Sequence, residues 1–91
     1  MNFQFPIDAD WTTEEIVAVV EFLDLVEKAY HQPVEAKKLM EKYRAFKTVV
    51  PSIGEEKRLG RTFEQDTGYS LYQTMKQVKD QPDRKIKMTV R

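Results

Sequence analysis

The chain has 91 residues, 41% of them apolar and 33% charged, with a net charge of zero. That is one domain with a single modest core, and it has too many aromatic residues to stay disordered. There is no cysteine, which excludes disulfides and thiolate metal sites.

The first ten residues, with Phe3, Phe5 and Ile7 alternating with other residues, predict an extended N-terminal arm. They carry no basic n-region or long apolar stretch, so they do not resemble a secretory signal. No window approaches the roughly 18 apolar residues of a membrane span. A soluble, cytoplasmic protein with no membrane association is expected.

The first helix is predicted over about residues 12–30. Thr12 and Glu15 have the spacing of a capping box, in which the hydroxyl accepts the N3 amide and the glutamate accepts the cap amide. Trp11 and Ile16 stand at the two positions of a hydrophobic staple. From Ile16 to Tyr30 the apolar side chains sweep an arc of roughly 220°, where a surface helix needs little more than 100°. Such a helix must be enclosed, by its own chain or by a neighbour. His31-Gln32-Pro33 ends it.

A second helix is predicted over about 35–49, with Ala36, Leu39, Met40, Tyr43 and Phe46 as its inner stripe and Pro51 as its stop. Ser52 and Glu55 form a second capping box and open a helix over about 52–67, with Ile53, Leu59 and Phe63 facing inward. Gly60 weakens that helix by about 1 kcal/mol relative to alanine, and Gly68 is a natural stop. Ser70 and Gln73 form a third capping box, opening a helix over about 70–80 that buries some of Leu71, Tyr72, Met75 and Val78. Beyond it, residues 81–91 are a tail that is either flexible or a short extended segment. Ile86, Met88 and Val90 alternate in it, and pairing with Phe3, Phe5 and Ile7 is one reading of the pattern. The fold class expected is all-α: one four-helix bundle with an arm and a tail.

Several landmarks match a known family in order: Phe5-Pro6-Ile7-Asp8, Trp11-Thr12-Thr13-Glu14-Glu15, Tyr43-Arg44-Ala45-Phe46-Lys47, Val50-Pro51-Ser52, Glu55-Glu56-Lys57, Phe63-Glu64, and Gly68-Tyr69-Ser70 followed by Tyr72. With these, nearly the whole chain resembles the small YktA-like uncharacterised protein family of Firmicute bacteria (UPF family 0223). Gly60 and the tail after Asp80 depart from its pattern. The resemblance implies a compact all-α fold and brings no activity or catalytic residue with it.

Catalytic parts are scarce. His31 is the only histidine, and its place just past a helix C-terminus suits a dipole-stabilising cation. Asp8, Asp10, Glu14 and Glu15 lack the glycine and the bidentate glutamate of a calcium loop. Gly54 to Thr62 has neither the spacing nor the lysine position of a phosphate loop. No catalytic residue, cofactor or metal site is assigned, and no enzymatic activity is expected.

Two non-catalytic functions remain. The favoured one is a protein-interaction module, with self-association into a homodimer as one form, using a second stripe of the first helix: Ala18, Phe22, Leu25 and Ala29. The alternative follows from charge, since residues 1–30 sum to −6 and residues 69–91 to +4. The turn Thr67-Gly68-Tyr69 between two helices has the outline of a helix-turn-helix. Gln73, Lys76, Lys79, Arg84 and Lys85 would then contact nucleic acid, Thr74 and Gln77 also facing outward.

Overall fold

The computed structural model describes residues 8–90. It has four helices and one two-stranded ribbon: α1 (Thr13–Ala29), β1 (Val34–Glu35), α2 (Ala36–Val49), α3 (Ile53–Thr67), α4 (Leu71–Asp80) and β2 (Lys85–Ile86).

Helix starts follow from local side-chain chemistry. At α1 the Glu15 amide donates to the Thr12 hydroxyl at 3.2 Å, and the Thr12 amide donates to Glu15 Oε1 at 2.8 Å. Ser52 and Ser70 accept the Glu55 and Gln73 amides in the same way. Each such cap contributes about 1 kcal/mol. Just before α1, Asp8 to Trp11 close a turn, the Trp11 amide donating to the Asp8 carbonyl. Gly68 ends α3 with φ of 81°, where a side chain would be strained, and its amide donates to the Glu64 carbonyl.

Val19, Phe22, Leu23, Val26 and Ala29 of α1 are all fully buried. The helix is therefore enclosed, as its wide apolar arc requires, and its own chain encloses it. From α2, Leu39 and Phe46 complete this centre, with the Phe22 and Phe46 rings 4.9 Å apart and Tyr43 5.5 Å from Phe22. A surface ion pair, Lys42 to Glu21 at 3.1 Å, bridges α1 and α2.

α3 attaches through Leu59 and Phe63, and at its start through a polar clamp on Glu56. Lys47 Nζ lies 2.6 Å from Glu56 Oε1, and the Tyr43 hydroxyl donates to Glu56 Oε2 at 3.0 Å. Burial, the hydrogen bond to Glu56 and that carboxylate's charge push the Tyr43 hydroxyl up to about 12, so it stays a donor at any physiological pH.

Residues 85–90 form an extended segment that completes the core. β2 pairs antiparallel with β1, Val34 opposite Ile86 and Glu35 opposite Lys85. Ile86 and Met88 are buried. The segment also serves two helix ends. The Ala36 amide donates to the Arg84 carbonyl, supplying an acceptor where the cap residue Glu35 makes no side-chain bond, and the Met88 amide donates to the Ala29 carbonyl at 2.7 Å. Ile86 thus belongs to a short strand whose partner is β1, and Met88 follows it into the core beyond the strand's end. Phe3, Phe5 and Ile7 lie outside the described residues.

Three inward or outward assignments change. Ile53, expected inside, is 67% exposed because it is the first residue after the Ser52 cap, before α3 has turned onto the core. Tyr72 is 70% exposed, whereas Thr74 is fully buried. The inner stripe of α4 is Leu71, Thr74, Met75 and Val78, and the Thr74 hydroxyl is satisfied by the Ser70 carbonyl at 2.7 Å. No helix of the described residues is long and apolar enough to cross a membrane.

Candidate interaction surface

The stripe Ala18, Phe22, Leu25 and Ala29 is not an open face. Phe22 and Ala29 have no exposed surface, and Ala18 and Leu25 are half-buried. The α2 aromatics cover Phe22, while Met88 holds the Ala29 carbonyl. The strongly exposed apolar side chain of α1 is Val17, at 47%.

The largest exposed apolar groups among the described residues lie on α3 and α4 instead. Ile53, Lys57, Gly60 and Glu64 follow one another along one side of α3 at helical spacing. Beside them, between α3 and α4, is a notch of about 130 Å³ floored by Gly60 and Leu71 and rimmed by Lys57, Arg61, Glu64 and Tyr72. A Cβ built on Gly60 would meet only the Leu71 side chain, at 3.6–3.9 Å, which is ordinary contact. Lys57, Arg61 and Glu64 make no ion pair with the described residues. Sequence periodicity points at Tyr72 only once Thr74 is recognised as the small inward residue of α4.

The five residues offered for nucleic acid are all exposed, and they do not line one common groove. Gln73 lines an open groove of about 810 Å³ between α4 and the tail, together with Gln77, Lys87 and the acidic Glu64. Arg84 and Lys85 line a different cleft beside Lys37, where Glu35 and Asp83 bring negative charge. Lys76 and Lys79 line neither of these.

His31 has a structural partner. Its Nε2 lies 3.0 Å from the Tyr69 hydroxyl, while the Tyr69 ring stacks on Tyr30 with centroids 4.6 Å apart. Tyr69 also packs against Phe63, as its turn position suggested. The Tyr30 hydroxyl accepts the Ser70 amide, so this group ties the end of α1 to the α3–α4 turn. Among the described residues no three acidic or histidine side chains converge on a metal-sized site. Glu15 is engaged in its cap, and Asp8 Oδ1 accepts the Asp10 amide.

One buried charge stands out. Glu27 is 8% exposed, and its Oε2 has no hydrogen-bond partner among the described residues. Burial first, and then the negative charge of Asp24, raise its pKa above the ordinary 4.5, with His31 pulling the other way. A raised acid destabilises the folded state above its folded pKa and ceases to do so below the unfolded value. Glu27→Gln is therefore expected to raise Tm at pH 7 by about 4–8 °C, equivalent to about 1 kcal/mol. The gain should vanish below about pH 4, where both states bind the proton. Thermal melts across pH 3–8 check this.

The likenesses to known proteins run the length of this architecture. The model of the uncharacterised protein family UPF0223 matches residues 2–87. A UPF0223 protein of Listeria monocytogenes is 51% identical over 88 residues, covering 97% of this chain and 98% of its own. One from Streptococcus pneumoniae is 49% identical over 87 residues, covering 96% and 95% respectively. With both family match and relatives spanning nearly all of the chain, this four-helix protein belongs to the uncharacterised protein family UPF0223, whose members occur in Firmicutes such as Listeria and Streptococcus.

Proposed function

We propose that the chain is a non-catalytic, cytoplasmic protein-interaction module, and that its contact surface is the outer face of α3 and the start of α4. One observation carries the reading: Tyr72, the most exposed large apolar side chain among the described residues, lies on the rim of a notch where Lys57, Arg61 and Glu64 make no ion pair with the described residues, and Ile53 stands exposed farther along the same side of α3. Apolar groups concentrated on one face, ringed by charges, are the composition of a contact surface. Tyrosine is also among the residue types that most often dominate binding at such a face.

Nucleic-acid binding remains the alternative reading, drawing on Lys76, Lys79, Arg84 and Lys85. It is less supported, because Asp80 and Asp83 interrupt the basic run and the net charge is zero.

A photo-crosslinking amino acid placed at Tyr72 in the native host tests the favoured reading. A discrete protein adduct is expected at Tyr72 and not at Thr48, an exposed position on α2. Equal adduct patterns at both positions would remove this face from consideration.

A further inference from the structure

We infer that the partner seated on the α3–α4 face is a second copy of this chain, a step that rests on reading that face as an interaction surface. In the pairing, two α3 helices cross antiparallel with the two-fold axis between Gly60 and Arg61.

The glycine comes first. Gly60 sits inside a 15-residue helix, where it costs stability relative to alanine. Nothing in its own chain demands the missing side chain, since a Cβ there would make only ordinary contact with Leu71. Its φ is not in the left-handed region, so backbone conformation does not require it either. What its absence leaves open is the notch beside Leu71, where another helix can approach the α3 backbone.

The charges then select the occupant. Lys57 and Glu64 lie on the notch rim, with the midpoint between Gly60 and Arg61 halfway along α3 between them. A two-fold axis through that midpoint sets Lys57 of each copy opposite Glu64 of the other. An isologous contact must be self-complementary, which Lys57 with Glu64 satisfies, and the same axis lays each Arg61 over the partner's Gly60, where no side chain stands. Neither Lys57 nor Glu64 has an ion-pair partner among the described residues of its own chain, so both are free to make the contact. Tyr72, on the same rim, is carried to the partner's notch by the same rotation.

Size sets the strength. A helix of this length is roughly 22 Å long and 10–12 Å wide, so α3 with the start of α4 offers less than the roughly 800 Å² per partner of a standard interface. The dimer is accordingly of the weak, transient class.

Sedimentation equilibrium of the full chain from about 10 to 500 µM tests this. A monomer–dimer equilibrium is expected, weakened about tenfold in Lys57→Glu and in Glu64→Lys, because each places like charges opposite one another twice. Mixed together, these two variants regain opposite charges at both pairs and should heterodimerise about as tightly as the parent. Gly60→Leu, which fills the notch, should abolish association while leaving Tm unchanged or higher. That separates loss of the contact from loss of the fold.

A chain that stays monomeric at 500 µM overturns the pairing, as does a dimer indifferent to these substitutions or two charge variants that fail to find each other. A monomer whose Tyr72 crosslinks to a different protein overturns the second-copy assignment while leaving the interaction surface standing. A monomer with no specific Tyr72 adduct removes both.

Discussion

Truncation after Gln81 is expected to destabilise the protein by about 4 kcal/mol. Two buried apolar side chains, Ile86 and Met88, leave the core, and losses of this type cost about 2–5 kcal/mol each when a cavity remains. Here the site opens to solvent rather than leaving a closed void, which moderates the sum. Two backbone acceptor arrangements go as well: the Ala36 amide loses the Arg84 carbonyl, and the Ala29 carbonyl loses the Met88 amide. Against a total stability of about 5–14 kcal/mol for a domain of this length, the loss is a large share. Urea denaturation should show the midpoint falling steeply, and amide exchange should accelerate first at the start of α2. An unchanged midpoint would mean that the segment rides on the surface and contributes nothing to the core.

Phe22→Ala is expected to cost about 3–5 kcal/mol. The ring is fully buried, in contact with Phe46 and Tyr43, and the cavity left by its removal is walled by side chains that cannot all collapse inward. This substitution decides between two uses of α1. Were Phe22 a contact residue on an open face, replacing it would change stability by no more than about 0.5 kcal/mol and would instead weaken association. The matching control is Tyr72→Ala, which at 70% exposure should leave stability within about 0.5 kcal/mol. Denaturant titrations of the two variants should therefore differ by several kcal/mol.

Helix positions were legible from the chain because their causes are local. A serine or threonine three residues before a glutamate or glutamine closes a hydrogen bond within one turn, and all three such oxygens accept the N3 amide. Each predicted helix begins one residue before the observed one, since the cap itself was counted in. Gly68 likewise ends α3 through its own backbone conformation. The enclosure of α1 was legible too, because an arc that wide admits no exposed solution.

What covered that arc was not legible. Periodicity states that a side is apolar but not which element lies over it, so Phe22 and Ala29 read equally well as core or as contact surface. Ile53 fits the inner stripe of α3 by type, and only its position immediately after the cap turns it outward. Tyr72 and Thr74 invert the usual preference because Thr74 satisfies its hydroxyl on the Ser70 carbonyl and can then fill a tight site.

The amino-acid order alone determined where four helices start and stop, that the first must be covered, and which family the chain resembles. The folded arrangement decided the rest: that β2 pairs with β1, that the segment after α4 supports two helix ends, and that Tyr72 is turned outward beside Gly60. The division is physical. Caps and stops act over three or four residues and are written in adjacent letters, whereas coverage depends on which distant surfaces meet when the whole core closes.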